Sequence, residues 1–241
     1  MNEQSGSNQL SPQATDYVTA AVKAAFGTVP FVGSLLAELV GTIIPRQRID
    51  RIVKFVEVLE SRLSNLEQDS VRSKMTNEHF TDLLEEAMGQ AARSLSDERR
   101  EYIANLIANS LSSEDIKYIE SKHLLRILGE INDIEVIWLR FYLVPTTGGD
   151  EEFRRKHEGI LKPVIATVGA PPEIHEKAAL QESYKEHLTQ LGLLQHRYRT
   201  DIKTRTPKFD SFTGAMEIQG YQITPLGRLL LRYVGLADRN E

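Results

Sequence analysis

The chain has 241 residues and no cysteine. That excludes a disulfide framework and any thiolate-held metal. A single tryptophan, Trp138, is present, and aromatic residues make up only 7% of the chain, so few large rings are available to anchor a core or a contact surface. Charge of one sign is also lacking: 29 Lys and Arg stand against 34 Asp and Glu. A net charge of -5 creates no whole-chain attraction to nucleic acid or anionic lipid, and any such contact has to come from a local patch. The opening "MNEQSGSNQLSPQATD" lacks the basic and apolar regions of a secretory signal. A cytoplasmic location is expected, peripheral to the inner membrane at most.

A long hydrophobic run is missing as well. The most apolar stretch, "GTVPFVGSLLAELVGTIIPRQR" at 27–48, contains Glu38 and is interrupted by Pro30 and Pro45, so it falls short of the ~20 residues a spanning helix requires. Residues 17–44 are predicted to form a short helical hairpin, with Gly27 ending the first arm and Pro30 opening the second. In the second arm Phe31, Leu35, Leu39 and Ile43 share an apolar face, and Gly33, Ala37 and Gly41 form a stripe that allows close helix approach. Arg46 and Arg48 follow directly. Two readings stay open: a core helix packed on a partner helix, or an interfacial arm whose arginines meet lipid headgroups.

Catalytic motifs are absent too. The six histidines are scattered, and "HEKAA" from His175 has Ala179 where a zinc protease needs its second histidine. No phosphate loop and no Gly-x-Ser-x-Gly elbow occurs. No catalytic residue, metal ligand or cofactor is nominated, and a non-enzyme is expected.

What the sequence does have is helical periodicity. Ile49, Ile52, Val56, Leu59, Leu63 and Leu66 recur at alternating spacings of three and four, a seam that pairs with a helix of this chain or of a second copy. Asp50 stands four residues ahead of Lys54, in position to pair with it. Helices are predicted over "NEHFTDLLEEAMGQAAR", over "DERREYIANLIANSL" with Ser96 as cap, over "EDIKYIESKHLLRILGEI", and over "DIEVIWLRFYLV" with Trp138 packed inside. "PTTGGDEE" reads as a hydrophilic loop. A further helix over "HEKAALQESYKEHLTQLGLL" precedes β-favouring segments on either side of a glycine, and Thr224 with Pro225 opens a last helix. Helix, β-hairpin, helix is the order of a winged helix-turn-helix.

Within that hairpin, residues 196–208 carry Arg197, Arg199, Lys203, Arg205 and Lys208 with only Asp201 opposing. This stretch is a candidate phosphate grip, although Glu176, Glu182 and Glu186 on the preceding helix weaken a DNA-reading role.

Four segments, "LSDERREYIANLIANSL", "KHLLRILGEINDIEVIWLRFYL", "HLTQLGLLQHRYR" and "GYQITPLGRLLLRYV", together resemble the bacterial abortive-infection alpha (Abi-alpha) family over roughly residues 88–234. Tyr102, Ala104, Asn105, Leu106, Ile107, Ala108 and Asn109 match its acidic-led helix motif, and residues 191–194 and 224–227 match its closing motifs. The resemblance implies a role in phage defence and brings no catalytic residues with it.

The expected architecture is mainly α-helical. It comprises a disordered tail over 1–15, a helical domain over 16–130 holding the apolar hairpin and seam helix, and a winged-helix-like domain over 131–241. The expected function is non-enzymatic phage defence through protein or membrane interaction, by way of self-association or another protein. The alternative is a winged-helix DNA-binding regulator that uses the basic wing.

Overall fold

The computed structural model describes residues 48–63, 77–112, 117–146, 149–201 and 204–238. The predicted tail and residues 17–44 lie outside them, as do Leu66 and Lys203. The chain is mainly helical with one small antiparallel sheet near its C-terminus. It forms two compact units, divided between Arg126 and Ile127.

The first unit holds α1 (Ile49–Leu63), α2 (Glu78–Arg93), α3 (Asp97–Ser112) and the first part of α4 (Tyr118–Glu130). The seam explains its core. Ile52, Val56, Leu59 and Leu63 are all buried, and α1 packs against α3 and α2, so the apolar spacing is used inside the chain. From α2 the core receives Phe80, Leu83, Leu84 and Met88, and from α3 Ile103, Leu106, Ile107 and Leu111. Ala87, Ala91 and Ala104, also buried, keep the helix surfaces low enough for close approach.

Polar contacts fix where these helices start and stop. The Asn77 side chain accepts from His79 N at 2.9 Å to open α2, and the Ser96 hydroxyl accepts from Arg99 N at 3.1 Å to open α3, the capping role read from the sequence. At the α2–α3 turn the buried Arg100 donates to the Ser94 carbonyl at 2.9 Å and pairs with Asp97. The pairing expected between Asp50 and Lys54 gives way to a contact of Lys54 with Asp97 at 3.6 Å. Arg51 donates to the Ala92 carbonyl at 3.3 Å. Both bases therefore reach across to α2 and α3 instead of pairing along α1.

The second unit begins in α4 and continues through α5 (Asp133–Phe141), α6 (Glu151–Lys156), α7 (Glu158–Leu161), α8 (Pro172–Gln190), β1 (Leu194–Tyr198), β2 (Ile218–Ile223) and α9 (Pro225–Tyr233). The predicted hydrophilic loop over 145–152 is shorter than expected: α6 begins inside it, with Glu151 and Glu152 as first-turn acids that suit a helix N-terminus, and α7 follows. A capping box opens α5: Asn132 accepts from Glu135 N at 3.0 Å, and the Glu135 carboxylate accepts from Asn132 N at 2.7 Å. α8 ends at Gly192, whose φ of 72° is the left-handed value that favours glycine. There Leu193 N donates to Leu188 O and Gly192 N to Thr189 O, both at 2.9 Å, which closes the helix and turns the chain into β1. Thr224 caps α9 by accepting from Gly227 N at 3.0 Å, with Pro225 in the first turn. The core here is built from Leu128, Ile131, Val136, Trp138, Leu139, Leu188, Leu193, Leu194, Ile223, Leu230 and Leu231.

Two substitutions test these cores. Leu59→Ala is expected to lower the unfolding free energy by about 2–5 kcal/mol, the range for a fully buried leucine, read as a shift in the urea midpoint. Gly227 has a different constraint: a Cβ there would stand 2.4 Å from the Leu193 carbonyl oxygen and 2.8 Å from Ile223 Cγ1. Gly227→Ala is therefore expected to destabilise the second unit, although alanine favours helices, and the helix-propensity gain would show only if α9 moved off Leu193.

Candidate functional site

The predicted site residues fall into three groups. Phe31, Leu35, Leu39, Ile43 and Arg46 lie outside the described residues, while Arg48 is exposed just ahead of α1. Of the predicted seam, Ile52, Val56, Leu59 and Leu63 are committed to the first unit's core, so the intrachain pairing accounts for them; Ile49 belongs to α1. The wing residues Arg197, Arg199, Arg205 and Lys208 are exposed and come together on one β-arm.

That arm grows from the β1–β2 pair. The register runs Leu194↔Ile223, Gln195↔Gln222, His196↔Tyr221, Arg197↔Gly220 and then Tyr198↔Ile218. Gln219 is therefore an extra residue, a β-bulge. Beyond it three backbone bonds join three segments: Arg199 N donates to Glu217 O at 2.8 Å, Lys208 N to Arg199 O at 2.9 Å, and Glu217 N to Lys208 O at 2.9 Å. Two small hairpins leave this junction. One is closed by the pairing of Thr200 with Pro207 and holds Arg205 at φ 56°, a left-handed setting that costs a non-glycine residue about 1 kcal/mol. The other pairs Phe209 with Met216 and turns at Asp210, whose carboxylate accepts from Phe212 N at 2.9 Å, Thr213 N at 2.7 Å and the Thr213 hydroxyl at 3.0 Å. Those bonds hold the Asp210 carboxyl below its usual range, the Thr213 backbone bond most of all.

The bulge decides which side chains share a face. Leu194, His196 and Tyr198 alternate onto the side of β1 that meets α8, and the His196 and Tyr198 rings stand 6.0 Å apart. On β2 the inward positions are Ile223 and Tyr221, and the bulge brings Ile218 and then Met216 into phase with them. Phe209, opposite Met216, joins that face. The result is an apolar surface of Tyr198, Ile218, Met216 and Phe209 that continues past the packed part of the sheet, with Phe212 at the apex 99% exposed. The other face carries Arg197, Arg199 and Lys208. Glu217 pairs with Arg199 at 3.2 Å, so the opposition to the basic wing includes a carboxylate from the returning strand, beyond the sequence window that showed only Asp201.

The base of the arm is fastened to α8 by a polar cluster. The Tyr221 hydroxyl meets Glu186 Oε1 at 2.5 Å and also the Glu182 carboxylate, so one phenolic proton serves two acceptors. His196 Nε2 lies 3.0 Å from the same Glu186 oxygen. Lys185 pairs with Glu182 and sits over the rings of Tyr221, at 5.3 Å, and Trp138, at 5.7 Å. Burial, then the hydrogen bonds and charges of the two glutamates, push the Tyr221 phenol far above its usual value. Burial and the Glu182 charge push Tyr142 up to about 12. Glu186 is held below its usual value, chiefly by Tyr221 and then by His196. On the other side of α8, His187 Nδ1 contacts Glu135 Oε1 at 2.6 Å, so the second oxygen of this buried carboxylate is used as well. The sequence offered no sign that Glu182 and Glu186, read only as acids unfavourable to DNA, would grip a tyrosine 35 or more residues away.

Chemically, this cluster holds a phenol and carboxylates that already have partners. Among the described residues no group of three or more His, Asp or Glu side chains could hold a metal ion, and no helix is long and apolar enough to cross a membrane. Comparison with protein-family models, with curated proteins and with solved structures finds no match for the chain.

The cluster has a pH signature. Glu186, with a folded pKa below its ordinary 4.5, contributes stability that is present above that value and is lost as pH falls through the folded pKa. Tyr221, raised above its ordinary 10.0, contributes stability that is present below that value and is lost as pH rises beyond it. Tyr221→Phe is expected to flatten both limbs of a plot of melting temperature against pH. Limbs identical to those of wild type would mean that the cluster does not fasten the arm.

Proposed function

We propose that this is a non-enzymatic phage-defence protein of the abortive-infection kind, which acts by contact with a partner through its β-arm. One observation carries the reading: five apolar side chains, Tyr198, Phe209, Phe212, Met216 and Ile218, are exposed together on one arm, which is how contact surfaces differ from scattered surface apolar residues. The resemblance of the four sequence segments to the abortive-infection alpha family supplies the biological context. The cluster's polar groups are engaged in holding the arm to α8, which supports the contact reading.

A second reading, a winged-helix DNA-binding regulator, draws support from the order α5, α8, β-hairpin, α9 and from the bases Arg197, Arg205 and Lys208. Against it stand Glu173, Glu176 and Glu182, all exposed on α8, the helix such a regulator would lay against base edges.

The two readings separate in cells and in a binding assay. Phe209→Ser/Phe212→Ser is expected to abolish protection against phage, scored as plating efficiency, while circular dichroism stays unchanged, because exposed side chains add little stability. A strain that wild-type protein does not protect would remove the defence role, and full protection by the variant would remove the arm. Arg197→Ser/Arg205→Ser/Lys208→Ser is expected to leave duplex-DNA mobility as it is in wild type. A low-salt shift by wild type that this variant loses would favour the regulator.

A further inference from the structure

We infer that the surface the β-arm contacts is an anionic lipid membrane, with Phe212 and Phe209 entering the headgroup region and Arg205 and Lys208 placed nearest the phosphates. This deepens the contact reading above and rests on it. Charge complementarity is the first reason. The chain carries a net -5, yet among the described residues of the arm Arg197, Arg205 and Lys208 have no carboxylate within ion-pair reach, while Arg199 is matched by Glu217. Cations gathered on one projection of an acidic protein suit a negative surface.

Shape is the second reason. The apex is convex, and Phe212 is fully open around the Asp210 turn. A bilayer admits a convex apolar wedge without a matching concavity, whereas a protein partner has to supply one. The side-chain types agree as well: Phe212 and Phe209 lie farthest out, and Tyr198 sits nearest the fold, where an amphipathic ring marks the edge between apolar and wet.

Distance is the third. From Ile218 to Ala215, where the turn closes against Asp210, the chain extends for roughly 10 Å at about 3.3 Å per residue, and the turn bearing Phe212 lies beyond it. The carboxylates of α8 stay at the arm's base, and a Debye length of about 8 Å screens them from a membrane met by the apex. Asp210 is the counterweight. Its carboxylate is tied to the turn and kept ionised, so it confines the arm to shallow, interfacial depth.

The absence of cysteine allows a local test. Ser211→Cys in the full chain, labelled with the environment-sensitive fluorophore NBD, reports only on the apex, whatever residues 17–44 do. A blue shift and brighter emission are expected on vesicles of phosphatidylglycerol with phosphatidylcholine, and little change on phosphatidylcholine alone. In the same background Arg205→Glu/Lys208→Glu is expected to weaken vesicle binding by at least about tenfold, and Phe209→Ser/Phe212→Ser to abolish the shift. An unshifted probe on anionic vesicles overturns the proposal. So does an equal shift on neutral vesicles, or a probe that responds to duplex DNA and not to lipid. Failure here stays distinct from failure of the defence reading. Phage protection lost in Phe209→Ser/Phe212→Ser with no vesicle response removes lipid and keeps the arm as the contact surface. A vesicle response with undiminished protection keeps the lipid contact and removes its part in defence.

Discussion

A nineteen-residue helix that fully buries one side chain, Leu188, has to be held by something other than an apolar face. α8 is in that position, and the rest of the second unit is arranged around it. Amphipathic helices draw most of their stability from a packed stripe. α8 lacks the stripe, so polar side chains fix it from several directions. Glu135 reaches it from α5 through His187. Tyr221 and His196 reach it from the sheet through Glu182 and Glu186. Gln181 points the other way, accepting from Val164 N at 3.1 Å and donating to the carbonyls of Ile160, at 3.1 Å, and Lys162, at 3.0 Å, which ties down the chain after α7. Polar attachments of this kind are directional, and each loses most of its value when one partner is removed.

The consequence for the arm is orientation. Because Tyr221 and His196 sit opposite each other in the register and both meet Glu186, the sheet has a defined face against α8, and the bulge at Gln219 transmits that face outward. Without the extra residue, alternation from Tyr221 would place Gln219 and Glu217 on the apolar side and would turn Ile218 and Met216 over. One inserted residue thus separates an amphipathic arm from a mixed one. The junction of Arg199, Lys208 and Glu217 then holds two hairpins on one stem through three backbone bonds and the Arg199–Glu217 pair.

Legibility in the sequence followed the reach of the interactions. Helices α1 to α5, α8 and α9 were readable because their signals are local: the three-and-four spacing of the seam, Ser96 as a cap, Thr224 followed by Pro225. The β-hairpin was readable as a type of structure from its β-favouring residues. Its register was not, since the bulge depends on which residue of β2 meets Tyr198, and no spacing within either strand records that. The polar cluster was illegible for the same reason: Glu182, Glu186 and Tyr221 meet only once the hairpin folds back. Spacing identified the seam but not its partner. Only the packing of α1 on α2 and α3 shows that the apolar stripe is filled from within the chain.

The two units also divide two kinds of work. Among its described residues the first unit buries most of its apolar side chains, with alanines where helices come close and leucines and phenylalanines in the spaces between, and its buried Arg100 serves a turn. The second keeps a smaller core and carries Phe209, Phe212, Met216 and Ile218 outward, where each exposed side chain forgoes the ~1.5–3 kcal/mol that full burial of a large apolar group returns. A helix held by polar side chains and an arm that leaves aromatic residues in water are both poor choices for stability alone. They are compatible if the arm's apolar surface is buried only when it meets its partner, and if the polar cluster keeps the arm extended until then instead of letting it collapse onto α8.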